Sequence, residues 1–478
     1  MDFRWNTERT AMTTPSSKSI VPPLLIATLV IGIMLNPINS TLIATALTPI
    51  GRSLHVGSAQ TGWLVASLYL VAAVAQPLMG RLADLIGPRR VFLAGLVITG
   101  IGGVVGGLGP GLGWLIVSRM LIGMGTSAGY PSAMTVLGRI ARQTGAPTPR
   151  ATLAVITVAT QVLAVIGPTL GGLLVGALGW RTVFWVNVPV VLIGLTMALT
   201  QLPRDGGYPR GPELLRRLDL AGALTFSLGL VGLLLFLMRL RPAPPYAFLV
   251  LSALSFGALF LVERRNTHAF IDLQTLAQNR PLLFTYLRFA LTALIMYSIF
   301  YGLPQWLQEA RGFSPAASGL LLLPISLVSI GVTLAVARLP RLGVRTMLLA
   351  GSALLIISVL MFAWLSRVPA VWLMVLASLL FGLPWGLNSL GNQQALTKET
   401  PPSGTGSAAG LFRTFGYLGS ILSSSAISLT FVPTATTLGF QTLTWVLLGA
   451  SLLLLLITLG LPREADRPRP QAQPDATG

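Results

Sequence analysis

The sequence has no cysteine and only two histidines, His55 and His268. Disulfides, thiolate metal sites, haem attachment and most metal-hydrolase chemistry are thereby removed, so neither a metal nor a cofactor is expected. Charge is also scarce. Only 9% of the 478 residues are Asp, Glu, Lys or Arg, where soluble domains carry about a quarter. Acidic residues are the rarest of these, 13 against 32 basic ones, leaving a net charge of +19. A nucleic-acid binder would gather that surplus on a polar face, but here the basic residues stand between long apolar runs. Membrane enzymes need acids, histidines, or a nucleophile with its base. His55 and His268 both fall in predicted loops, and no enzyme is expected. What is abundant is apolar: 53% of the chain, with a mean hydropathy of +0.77. This composition describes a polytopic helical membrane protein.

A bilayer core about 30 Å thick takes roughly 20 apolar residues per helix. Cutting the sequence at its Arg-, Pro- and Gly-rich breaks gives fourteen candidate spans: 22–48, 60–80, 90–109, 111–138, 151–178, 183–202, 219–238, 245–262, 282–307, 316–337, 345–366, 369–396, 405–431 and 438–461. Gly106 to Gly111 is the sole separator of the third and fourth. Basic residues set the orientation. With both termini cytoplasmic, only Arg52, Arg181, Arg239, Arg241, Arg311 and Arg367 fall in outer loops, and Arg119, Arg288 and Arg413 lie within spans. The remaining Lys and Arg face the anionic lipids of the cytoplasmic leaflet, which are an expected partner. Trp63, Trp114, Trp180, Trp306 and Trp372 fall near predicted outer span ends, as an aromatic belt does. The expected organisation is a cytoplasmic tail (1–21), a six-helix bundle (22–202), a linker (203–218), two extra helices (219–262), a second linker (263–281), a second six-helix bundle (282–461) and a disordered tail (462–478).

Two stretches echo one another. Arg81-Leu-Ala-Asp-Leu-Ile-Gly87-Pro-Arg89-Arg90-Val-Phe-Leu-Ala-Gly95 lies between spans 2 and 3, and Arg338-Leu-Pro-Arg-Leu-Gly343-Val-Arg345-Thr-Met-Leu-Leu-Ala-Gly351 between spans 10 and 11. An offset of 256 aligns Gly87 with Gly343, Arg89 with Arg345 and Leu93-Ala94-Gly95 with Leu349-Ala350-Gly351. The same inner turn in two six-span halves describes a duplicated transporter. In the first copy Gly87 permits a left-handed turn, Asp84 is suited to capping a helix, and Arg89 and Arg90 hold the turn at the phosphate surface.

Gly80-Arg-Leu-Ala-Asp84-Leu-Ile-Gly87-Pro-Arg89-Arg90 resembles the loop 2–3 signature of the major facilitator superfamily. Gly167-Pro168-Thr-Leu-Gly171-Gly172 in span 5 resembles the GPxxGG motif of its antiporters, where a proline kinks the helix and glycines admit a neighbouring backbone. Arg119 with Gly123 and Gly125 in span 4 looks like a third signature. Trp180-Arg-Thr-Val-Phe184-Trp-Val-Asn187-Val-Pro189, Leu307-Gln-Glu-Ala-Arg-Gly-Phe-Ser-Pro315 and Gly319-Leu-Leu-Leu-Leu-Pro324 extend the likeness to the fourteen-span drug:proton antiporters. The resemblance implies an all-α integral membrane fold: two six-helix bundles plus two extra central helices, fourteen transmembrane helices in all, with both termini cytoplasmic. It also implies alternating access around a central cavity in the inner membrane of a bacterial-type cell.

The sequence departs from that subfamily at one telling position. The subfamily's span 1 reads Asp-x-Thr before Ala-Leu-Pro, and the aspartate serves proton coupling and cationic drugs. Here the segment is Asn36-Pro-Ile-Asn39-Ser-Thr41-Leu-Ile-Ala-Thr-Ala46-Leu47-Thr-Pro49, with Asn39 in the aspartate's place. Asparagine keeps the shape and cannot titrate. None of the 13 carboxylates falls at predicted mid-membrane depth, whereas three arginines do, at a cost of several kcal/mol each unless they face water or a partner. The expected cavity residues are Asn36, Asn39, Arg119, Tyr130, Gln161, Arg288, Tyr297, Trp385, Asn388, Asn392 and Arg413. Gly80, Asp84, Gly87, Arg89, Arg90, Gly167, Pro168, Gly171 and Gly172 are the expected gating motifs, and Glu309, at the outer end of span 9, is the candidate for coupling. The sequence reads as a monomeric secondary transporter that exports small amphipathic compounds with protons and prefers neutral or anionic substrates. An uncoupled or symporting importer of a small metabolite is the alternative.

Overall fold

The computed structural model describes residues 21–144, 150–206, 219–238, 244–263, 279–337, 342–366, 368, 370–399 and 405–460. Among these the regular structure is helical throughout, and helices occupy every one of the fourteen expected segments. They are α1 (Pro23–Leu42), α2 (Leu47–Leu54), α3 (Ser58–Ile86), α4 (Pro88–Leu108), α5 (Leu112–Thr126), α6 (Gly129–Thr144), α7 (Arg150–Leu178), α8 (Thr182–Trp185), α9 (Asn187–Gln201), α10 (Leu220–Met238), α11 (Tyr246–Glu263), α12 (Arg280–Glu309), α13 (Pro315–Ala337), α14 (Val344–Leu365), α15 (Val371–Glu399), α16 (Thr405–Thr430) and α17 (Thr437–Leu459).

Ten stretches among the described residues are long and apolar enough to cross a membrane. The shortfall from fourteen has local causes. The fourth segment breaks at Ser127 and Ala128 into α5 and α6, of 15 and 16 residues. The qualifying apolar stretches of α7 and α10 are short, Ile166–Leu178 and Ala221–Leu237. The thirteenth segment, α16, is not among the ten either, whereas the sixth, with α8 leading into α9, is counted as Thr182–Gln201. Gly109 to Gly111 do separate α4 from α5. Gly125-Thr-Ser127-Ala-Gly129 has the spacing of a serine-hydrolase elbow, but it is the break between two helices, and the Ser127 hydroxyl donates to the Gly123 carbonyl at 2.6 Å. It is a joint, with no nucleophile presented.

Prolines sit inside α1, α3, α7, α12, α13 and α15. Each removes a backbone donor and bends the helix, and one turn on two side chains bond to the prolines' own carbonyls. Thr41 donates to the Pro37 carbonyl and Asn388 to that of Pro384. Beyond Pro37, α1 tightens into a 3-10 turn at Ile43–Thr45 before α2.

Helices α1, α3, α4, α5, α7 and α9 pack on one another, as do α12, α14, α15, α16 and α17. The two groups meet along α3 with α16 and along α7 with α13. Helices α10 and α11 form a hairpin of their own, tied by the Ser252 hydroxyl to the Gly229 carbonyl at 2.8 Å, and α10 rests on α3 and α16. Both copies of the repeated turn end in a glycine immediately before a helix, Gly87 before α4 and Gly343 before α14; Arg338 and Arg341 lie outside the described residues. The helix directions put the start of α1 and the end of α17 at one end of the bundle, termed the terminal end here. The opposite end, where α2 and Glu309 lie, is the distal end.

Candidate functional site

From the distal end inward the two groups of helices share a column of polar contacts. Glu309, the last residue of α12, accepts from the Thr48 hydroxyl of α2 (3.2 Å), the Ser58 hydroxyl of α3 (3.5 Å) and the Ala435 backbone N–H ahead of α17 (2.5 Å). Beside it Arg52 donates to the Gln308 carbonyl at 3.0 Å, and the Gln308 amide reaches the Thr45 carbonyl at 3.3 Å. Glu309, Thr48, Ser58 and Arg52 border an open pocket of about 570 Å³ that also includes His55, Gly57 and Pro433. The carboxylate thus gathers donors from both groups of helices and closes the distal end.

Below this closure lies a layer of tyrosines. The Tyr69 and Tyr301 hydroxyls are 2.8 Å apart, and Tyr301 donates to the Ser40 carbonyl of α1. Tyr297 stacks on Tyr301, centroids 5.7 Å apart, and meets Tyr69 edge-on at 5.4 Å. Tyr417 of α16 donates to the Gln76 side chain of α3 at 2.5 Å, with Arg413 and Asn36 as its polar neighbours. Tyr69 and Tyr301 are fully buried, whereas Asn36, Tyr130, Tyr297 and Arg413, on the terminal side of that plug, are half-buried. The Arg413 guanidinium sits 3.9 Å over the Tyr130 ring, so a cation from one group of helices rests on an aromatic of the other. Such a contact contributes about 0.5–2 kcal/mol. The Asn36 amide also donates to the Thr126 hydroxyl at 3.1 Å.

Asn39 is placed differently. It is buried against Asn187 of α9, and the two amides exchange hydrogen bonds at 2.6 and 3.0 Å. Its carbonyl accepts from Arg119 at 2.9 Å, and Arg119 also donates to the Leu64 carbonyl at 2.8 Å. Arg119 is 2% exposed, so α5 is pinned to α1 and α3 by a buried cation that donates to backbone carbonyls through Nε and Nη1 while its Nη2 has no partner among the described residues. Arg288 is fully buried on α12 and donates to the Thr285 hydroxyl, which donates in turn to Glu399 of α15. One turn further on, Asn392 donates to Thr292 at 3.4 Å. Asn388 is buried with its amide against Gly351, and half-buried Trp385 meets Phe300 edge-on at 4.6 Å. Gln161 is on α7, and its side chain lies outside the described residues.

The two glycine motifs do separate work. Gly167 and Gly171 abut Thr41 and the Leu42 carbonyl of α1, while Gly172 lies against the Pro315 carbonyl and Gly319 of α13. Thr169 donates to the Gly319 carbonyl at 2.9 Å. GPxxGG is therefore the seam at which α7 touches both its own group and the other one. At the terminal end Gly87 has a φ of +107°, which an L side chain rarely adopts. The place its Cβ would take is filled by the Asp205 carboxylate. Asp205 accepts from the backbone N–H groups of Arg89 (3.4 Å) and Arg90 (2.9 Å) at the positive end of α4, and pairs with Arg139 of α6 at 3.6 Å. Asp84 accepts from the Thr135 hydroxyl at 3.1 Å, and Gly80 faces Pro131. The sequence reading assigned Asp205 only to a loop, and left out Asn187, Tyr69, Tyr301, Gln76 and Tyr417. Asn187 stood inside a quoted motif, but nothing in the sequence pairs it with Asn39.

A family model described as Major Facilitator Superfamily matches residues 29–424. The chain belongs to the major facilitator superfamily. Its membership makes it an integral, multi-pass membrane transporter and not an enzyme. Within the superfamily it is 33% identical over 429 residues to the uncharacterized MFS-type transporter YwoD of Bacillus subtilis (strain 168), covering 88% of this chain and 94% of that protein. It is 30% identical over 338 residues to the multidrug resistance protein Stp of Mycobacterium tuberculosis (strain CDC 1551 / Oshkosh), covering 69% of this chain and 61% of that one. The solved nucleoside transporter NupG has the same superfamily fold, with a TM-score of 0.63 at 15% identity over 91% of this chain and 98% of that one.

Proposed function

We propose that this protein is a proton-driven exporter of small amphipathic compounds, working by alternating access in the inner membrane. The reading takes fourteen spans, cytoplasmic termini and a complete pathway in each monomer. The observation that carries it is the Glu309 closure. One carboxylate collects two hydroxyls and a backbone N–H from both groups of helices, and these bonds hold only while the distal face is shut. Protonation removes the charge that strengthens them. The charged and titratable side chains around it are Arg52 and His55. A proton arriving from outside therefore loosens the distal gate, and the bonds re-form when the carboxylate is charged again. The name of the relative Stp, a multidrug resistance protein, favours drug efflux. The aromatic layer without a carboxylate favours neutral or anionic substrates over lipophilic cations.

The test is flux in proteoliposomes across an imposed pH step, with an ethidium-type cation set against an anionic solute. Export is expected to follow the proton gradient and to favour the anion. Flux indifferent to the gradient removes the coupling, and robust export of the cation removes the selectivity. Uncoupled or symporting import of a small metabolite is the second reading. Accumulation of the solute in right-side-out vesicles would establish it.

A further inference from the structure

Of the three arginines within the helices, two are enclosed by the protein. Arg119 is buried, with its Nε and Nη1 on the carbonyls of Leu64 and Asn39 and its Nη2 without a partner among the described residues. Arg288 is fully buried and linked through Thr285 to Glu399. Arg413 is different. It is half-buried on the terminal side of the Tyr69–Tyr301 plug, and its guanidinium lies over the Tyr130 ring. Among the described residues no carboxylate comes within ion-pair distance of it. The sequence supplies none nearby either, since all 13 acidic residues lie in tails, in loops or at helix ends. Cation–π contact and a tyrosine hydroxyl recover part of the cost of placing a charge at this depth and leave the charge itself unmatched. Tyr297, which interacts with Arg413, stacks on Tyr301, and Trp385 of α15 is set edge-on to Phe300 of the same helix α12 that carries Tyr297.

We propose that Arg413, Tyr130, Asn36 and Tyr417 form the subsite for the anionic group of the substrate, and that the substrate is an aromatic monoanion, a carboxylate or sulfonate on a flat apolar body. The guanidinium fork matches such a group with two parallel donors. The Tyr417 hydroxyl and the Asn36 amide are the neighbouring polar contacts, and the apolar body lies against Tyr297 and Trp385. Because Arg413 and Tyr130 belong to opposite groups of helices, the anion draws the guanidinium from the ring and bridges the halves. This inference rests on the transport reading above and sharpens its substrate class.

The experiment uses the full-length protein in nanodiscs at about pH 7, where a carboxylate is ionised, and two probes of equal shape, 2-naphthoate and its neutral isostere 2-naphthamide. Wild type is expected to bind the naphthoate about tenfold tighter or more, the worth of a hydrogen bond to a charged group. Arg413→Gln is expected to bring that ratio to about one. A wild-type ratio near one, or a ratio that survives Arg413→Gln, overturns the subsite. If Arg413→Gln is not monodisperse, Arg413→Lys decides: a ratio reduced several-fold supports the fork, and an unchanged ratio overturns it. Uptake into everted vesicles separates the two levels of the argument. Uptake of both probes without charge preference removes the subsite and leaves export standing. Preferential binding without any uptake removes export and keeps the subsite.

Discussion

Two carboxylates at opposite ends of the bundle make similar bonds to different effect. Asp205 takes its donors from α4 and α6, which belong to one group of helices, and it follows α9 of the same group. Glu309 takes Thr48 and Ser58 from one group and the Ala435 N–H from the other. The first arrangement stiffens a rigid body: it seats the turn after Gly87, caps α4 and holds Arg139. The second fastens one group of helices to the other, and in the proposed cycle it lets go when they part. What an acidic residue does here depends less on its own bonds than on whether their donors move together.

That contrast can be broken at several strengths. The most severe change is at the seam. Gly172→Leu drives a side chain into the Pro315 carbonyl and Gly319; overpacking of this kind costs about 1–3 kcal/mol, and transport is expected to vanish although both carboxylates are intact. Vesicle efflux and thermal unfolding measure the two effects. Asp205→Ala leaves two N–H groups and Arg139 without their acceptor, for a loss of about 2 kcal/mol. Its mark is a lower unfolding temperature with the preference for charged over neutral solutes unchanged. Glu309→Gln keeps the shape of the acceptor and loses its charge, so stability moves by about 1 kcal/mol or less while the dependence of flux on external pH flattens. Retention of the wild-type pH profile would place the coupling elsewhere. The double variant Asp205→Ala/Glu309→Gln is expected to be additive in stability within about 0.5 kcal/mol; a larger departure would mean the two ends communicate. Arg52→Gln, at an exposed site whose contact is a carbonyl, should change stability by about 0.5 kcal/mol or less.

How far the sequence carried these conclusions depends on the range of the contact. Helix positions follow from apolar run lengths and Pro and Gly breaks, which are local, and the break at Gly109–Gly111 was visible for that reason. The joint at Ser127 and Ala128 was not expected, because a run without charge or proline conceals a break that tertiary packing imposes. The loop and GPxxGG motifs were legible as motifs, but their partners, Asp205 and the Pro315–Gly319 stretch, lie more than 100 residues away. Arg413 could be named from the sequence as a charge within a span, whereas its separation from Arg119 and Arg288 required knowing what each guanidinium touches. Tyr69, Tyr301 and Tyr417 gave no signal at all, since an isolated tyrosine in an apolar helix looks the same whether it plugs a pathway or faces lipid.

The Asn39–Asn187 handshake has an electrical consequence. In the proposed cycle two amides swing with their helices through the membrane field without carrying charge, whereas a carboxylate at that position would add or shed an elementary unit with each turnover. Membrane voltage, worth about 2.3 kcal/mol per unit charge for every 100 mV, then gains no purchase on span 1 at this point. On that reading the current that accompanies each cycle is set by the cargo's own valence and by whatever proton the distal acid admits.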